Sequence, residues 1–135
     1  MMKKILIALL LFVFSTQACK QSETKERETS VNVADHFIRA TLNGDFNTAE
    51  KYLVQDQKNK DLFYNYKNYY SSLADSVKRN YRVASYEIIS IQDVNDSTSN
   101  VTFKNTYMNT PMEITLLWKN DQWLVDFANS EKAPN

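Results

Sequence analysis

A chain with a single glycine cannot build a glycine-rich phosphate loop, which needs several close-spaced glycines before backbone N–H groups can approach the phosphates. That glycine is Gly44. Two prolines are all that accompany it, so turns must rely on Asn and Asp, which tolerate positive φ better than other residues. A single cysteine, Cys19, rules out an intrachain disulfide framework. One cysteine and one histidine also leave too few ligands for a usual zinc site, so no metal is expected. His36 is the only histidine available to a Ser–His pair, and no GxSxG or other nucleophile motif accompanies it. Set beside Asp35 and opposite much of the helix's apolar stripe, it reads as a surface residue. The formal charge is zero, so no global field draws nucleic acid or an anionic membrane. No cofactor is expected.

What the N-terminus does have is an address. Lys3 and Lys4 precede an unbroken apolar run from Ile5 to Phe14, the length of a signal-peptide core and too short to span a bilayer comfortably. Ser15, Thr16, Gln17 and Ala18 follow, and then Cys19. This pattern resembles a bacterial lipoprotein signal. The resemblance implies cleavage after Ala18 and acylation of Cys19, although Thr16 stands where that family prefers Leu. Acyl chains on Cys19 would make the membrane a partner, since two chains suffice for stable anchoring. Lys20 after the cysteine favours the outer membrane over the inner, by resemblance to enteric lipoproteins. Residues 20–30 hold no apolar side chain before Val31 and read as a tether, spanning roughly 20 Å as a flexible coil. The expected organisation is therefore a signal peptide over 1–18, a lipidated cysteine and tether over 19–30, a globular domain over 31–129 and a disordered tail over 130–135.

Within the domain, Val31, Ala34, Phe37, Ile38 and Leu42 fall at helical spacing, and Gly44 sits where a left-handed glycine ends a helix. Asn47 with Glu50 reads as the capped start of a second helix. Leu62, Tyr66, Tyr69, Tyr70, Leu73 and Val77 predict a third helix from about Asp61 to Asn80. Past Tyr81 the period falls to two. Four strands follow, with turns at 95–98, 109–111 and Asn120-Asp121. Helices first and a meander second predict an α+β fold, with three N-terminal helices packed on one face of a curved four-stranded antiparallel sheet. Such packing leaves a cavity if the facing side chains do not fill it.

The pairing of FIRATLNGDFNTAEKYL with a closing WKNDQWLVDF resembles a group of small bacterial lipoproteins of unknown function, with a cone-like, nuclear transport factor 2-like (cystatin-like) domain. The matching residues are Phe37, Leu42, Gly44, Asp45, Ala49, Tyr52 and Leu53 at the front, and Leu116, Trp118, Trp123, Val125 and Asp126 at the back. The resemblance covers about residues 31–128, with Gln122 where the family often has Gly. It implies the fold; the superfamily holds enzymes, binding domains and transport factors, so it carries no single activity.

Candidate pocket-lining residues are Tyr66, Tyr69 and Tyr70 on the third helix, and Trp118, Trp123 and Asp126 at the end of the sheet. The tyrosines alternate with Lys58, Lys60 and Lys67, which suggests stacking on single strands, but an extracytoplasmic address and zero charge speak against nucleic acid. Asp93, Asn95, Ser97 and Ser99 alternate like a calcium loop but lack its Gly and Glu, with Thr98 and Lys104 in those places. No catalytic residue is assigned. The expected function is a non-enzymatic, membrane-anchored domain that binds a small apolar ligand or an envelope protein. The alternatives are a cone-fold enzyme using Asp126 and the helix tyrosines, and a structural or assembly factor of the envelope.

Overall fold

The computed structural model describes residues 28–130. The expected signal peptide, Cys19, most of the expected tether and all but the first residue of the expected tail lie outside the described residues. Four helices come first, α1 (Ser30–Asn43), α2 (Phe46–Glu50), α3 (Gln57–Ser72) and α4 (Asp75–Val83). Four strands follow, β1 (Tyr86–Asn95), β2 (Thr98–Asn105), β3 (Met112–Lys119) and β4 (Gln122–Val125). The strands form one antiparallel sheet in chain order, so the fold is α+β. None of the described helices is long and apolar enough to cross a membrane.

α1 buries Val33, Ala34, Phe37, Ile38 and Leu42 on one stripe. Its start is capped by Thr29, with the Asn32 N–H donating to Thr29 Oγ1 at 3.2 Å. Its end is a Schellman turn. Gly44 has φ +74°, its N–H donates to Thr41 O at 3.1 Å, and the Asp45 N–H donates to Ala40 O at 2.9 Å. Asp45, not Asn47, then caps α2 by accepting from the Thr48 N–H, which brings Phe46 into the helix and into the core.

The sequence predicts three helices; among the described residues there are four. The expected third helix divides at Leu73 and Ala74, both extended, with ψ 150° and 148°. Ser71 and Ser72 donate their hydroxyls back to Lys67 O and Tyr69 O at the end of α3. Asp75 with Lys78 opens α4 as a first-turn acid and its i+3 partner, 3.1 Å apart. Leu73 and Tyr81, on either side of the break, both pack against the core. α3 also begins four residues early, at Gln57. Its cap is Asp56, which accepts from the Asn59 N–H at 2.8 Å. The residues 57–60 carry no apolar period to announce a helix. α4 in turn extends to Val83, and the first strand starts at Tyr86.

Alternation on β2 puts Ser99, Val101, Phe103 and Asn105 on the buried face, level with Leu116 and Ile114 of β3. Asn120 and Asp121, at φ 51° and 61°, make the β3–β4 hairpin with the positive φ values of a primed turn. The free side of β4 is covered by residues 52–54. Val54 N–H donates to Val125 O at 3.0 Å, and Val125 N–H to Tyr52 O at 2.7 Å. β1 is the open edge. Register shifts leave Ile89 and Val94 unpaired and exposed, bulges of the kind that blunt an edge against further pairing.

Candidate functional site

α1 packs directly on the sheet, while one face of α3 looks at the sheet across a gap. The gap is a cavity of about 440 Å³. Phe37, Thr41 and Leu42 of α1 form its back. Leu62, Asn65, Tyr66 and Tyr69 of α3 and Tyr81 of α4 form one side. Phe103, Asn105, Met112, Glu113 and Ile114 of the sheet form the other, with Met108, Phe127 and Ser130 closing the ends. The volume lies within the roughly 300–1,000 Å³ of small-molecule sites, and the composition fits too, apolar walls with a few polar groups.

Two of the phenols here, Tyr66 and Tyr81, are pushed towards the protonated form. Burial, and then the neighbouring phenols of Tyr81, Tyr70 and Tyr69, push Tyr66 well above the ordinary tyrosine value. Burial raises Tyr81 as well, followed by Tyr69, Tyr107 and Tyr70. The Tyr81 hydroxyl donates to Met108 Sδ at 3.3 Å, and its ring meets Tyr107 edge-on at 4.9 Å. Neutral hydroxyls can donate or accept, so this wall adapts to either.

Asn105 is the least obvious polar residue of the cavity. It is 1 % exposed, and its Oδ1 accepts from the Tyr107 N–H at 3.0 Å and the Met108 N–H at 2.8 Å. Two backbone donors on one side fix the amide. Flipping it would set NH2 against N–H. Among the described residues the Nδ2 group has no partner. Strand alternation was sufficient to place Asn105 on the inner face, but an Asn just before a turn reads more readily as turn chemistry. Glu113 was likewise missed, since it stands at the start of a strand with nothing to mark it.

The expected lining residues separate into four places. Tyr66 and Tyr69 line the cavity. Tyr70 does not; it is buried in the core, edge-on to Phe46 at 5.1 Å and over Gly44. Trp118 and Trp123 pack edge-on at 5.5 Å and do not line the tyrosines' cavity. They line an open groove of about 550 Å³ between the start of α1 and the β1–β2 hairpin, where Glu28, Asp93 and Asp96 also lie.

Asp126 lies beyond the last residue of β4, so strand alternation no longer governs its side chain. It is buried, lines neither cavity nor groove, and forms the centre of a polar knot. Asn59 Nδ2 donates to Asp126 Oδ1 at 3.3 Å, and Asn129 Nδ2 donates to Oδ2 at 2.6 Å. The Asp126 N–H donates to Thr115 O at 2.8 Å. Asn59 also accepts from the Ala128 N–H at 3.0 Å and donates to Asp56 Oδ1 at 3.0 Å, tying the start of α3 to the chain after β4. Ser130 belongs to the same knot, because its hydroxyl donates to Asp126 O at 2.9 Å and accepts from the Thr115 N–H at 3.1 Å. Ser130, the first residue of the expected tail, is thus tied to Asp126 and Thr115.

His36 is exposed, 3.6 Å from Glu28 and stacked on Tyr52 at 5.8 Å. The β1–β2 turn is an ordinary one, with the Ser97 N–H donating to Asn95 Oδ1 at 2.8 Å. Among the described residues no His, Cys, Asp and Glu cluster could hold a metal. No protein-family model matches this chain, and no curated protein proves similar to it.

Proposed function

We propose that this chain is a membrane-anchored lipoprotein whose cone-like, nuclear transport factor 2-like domain binds a small apolar ligand between α3 and the sheet, without catalysis. The single observation that carries the reading is the cavity, apolar along most of its wall and lined by a few polar groups. The sequence pattern around Gly44 and the closing WLVDF support the fold assignment. The run Ile5 to Phe14 followed by Cys19 supports the anchor and an envelope location, with the outer membrane favoured.

Titration of the full chain with 1-N-phenylnaphthylamine tests the binding half. Fluorescence should rise and saturate at one probe per chain, and Met112→Trp, which fills the cavity with an apolar ring, should abolish the rise. A linear, unsaturable response in both proteins counts against a cavity site. Mass spectrometry tests the anchor. Acyl mass should appear on the native chain and be missing from Cys19→Ser, and an unmodified native cysteine would end that part of the proposal.

A further inference from the structure

Resting on the ligand-binding reading above, we infer that the cavity takes an uncharged, mainly apolar molecule carrying a carbonyl oxygen, which the amide of Asn105 recognises. The argument begins with an unmet need. A buried N–H donor without a partner is costly, and nearly all such groups in folded proteins are paired. Among the described residues, the Nδ2 group of Asn105 is buried and unpaired, on a side chain that lines the cavity and whose Oδ1 is held by two backbone N–H groups. It can donate and cannot accept. Whatever satisfies it must therefore bring an acceptor. A carbonyl oxygen offers two lone pairs and carries no proton that would need a partner of its own.

Charge is decided by the remaining wall. The lining contains no lysine, arginine or histidine, and its one ionisable acid is Glu113. A carboxylate ligand would lose its hydration and gain no countercharge, the case in which burial costs most. The hydroxyls of Tyr66 and Tyr69 add hydrogen-bonding capacity. The walls supplied by Phe37, Leu42, Phe103, Ile114 and Phe127 suit a hydrocarbon or aromatic body.

The test uses three probes of equal carbon number, 2-undecanone, undecane and undecanoate. Each is titrated against 1-N-phenylnaphthylamine bound to the full chain. In the native chain 2-undecanone should displace the dye at a concentration about tenfold or more below that of undecanoate. Asn105→Asp keeps the oxygen that the Tyr107 and Met108 N–H groups need and replaces the donor with an acceptor. It should weaken 2-undecanone about tenfold while leaving undecane within about threefold, so that the difference in hydration between ketone and alkane cancels. Equal displacement by undecanoate and 2-undecanone in the native chain overturns the inference, as does an unchanged ratio of ketone to alkane in the variant. If Asn105→Asp does not fold, the native ratio of ketone to undecanoate decides alone. Dye that binds but is displaced by none of the three removes the ligand class and leaves the cavity reading standing. Dye that does not bind removes both.

Discussion

Replacing Gly44 with alanine isolates the turn on which the helical half of the domain depends. Two costs arise at that position. The first is backbone strain: Gly44 has φ +74°, and an L-residue with a Cβ loses roughly 1–2 kcal/mol in the left-handed region. The second is contact. A Cβ on Gly44 would stand 3.0 Å from Cε1, 3.1 Å from the hydroxyl and 3.2 Å from Cζ of Tyr70. That ring is pinned between Phe46 at 5.1 Å and Tyr81 at 6.0 Å, so it cannot swing away freely. Overpacking of this kind costs about 1–3 kcal/mol. The two together should destabilise the chain by about 2–5 kcal/mol, and a domain of this size loses about 4–8 °C of Tm per kcal/mol. Urea unfolding followed by circular dichroism measures the effect. The two costs are separated by repeating the substitution on Tyr70→Leu, where the ring is gone and only the backbone part, about 1–2 kcal/mol, should remain. A Gly44→Ala chain within about 0.5 kcal/mol of native, a shift ordinary for innocuous surface changes, would falsify the turn assignment. An equal cost in both backgrounds would show that Tyr70 yields and that the contact argument is wrong.

Other expectations follow from the polar knot and the caps. Asn59→Ala leaves the Asp126 carboxylate and the Ala128 N–H each short of a partner. It should lower stability by about 2–3 kcal/mol in urea unfolding, and a loss below about 0.5 kcal/mol would mean that water replaces the amide without cost. Asp45 and Asp56 are held below the ordinary 3.8, Asp45 by the Thr48 side chain and then its N–H, Asp56 by the Asn59 N–H and then its side chain. Their folded values lie under the unfolded ones, so the stability they add is complete above about pH 4 and is lost as pH falls through the depressed folded values. The urea midpoint should therefore hold between pH 7 and 5 and drop below about pH 4, and Asp56→Asn should make the drop shallower. A midpoint that climbs on acidification, or an identical slope in Asp56→Asn, contradicts the assignment of those caps.

Much of this architecture is written locally. The stripe from Ala34 to Leu42, the left-handed Gly44, the alternation of Val101 with Phe103 and the Asn120-Asp121 turn each depend on backbone geometry within a few residues. The start of α3 escaped the sequence because its signal is a cap at Asp56 and a buried Asn59, with no apolar period between them. Its break at Leu73 escaped because Leu73 and Val77 keep helical spacing across it.

The candidate site was legible only in part, for a related reason. Helical period gives a face about 100° wide and does not say what stands opposite. Tyr66 and Tyr70 are one turn apart on that face, yet Tyr66 meets a gap and Tyr70 meets Gly44 and Phe46. Strand period set Trp118 and Trp123 on the inner face, but how far the helices cover that face is fixed by helix length and placement, which left the pair in a separate groove. Asp126 fell outside the rule altogether, since alternation ends with the strand and its position is set by Asn59, 67 residues earlier in the chain. The sequence by itself determined the order and kind of the elements, because those follow from contacts between near neighbours. Only the tertiary structure decided where space remains and which polar groups face it, because a cavity is what long-range packing leaves unfilled.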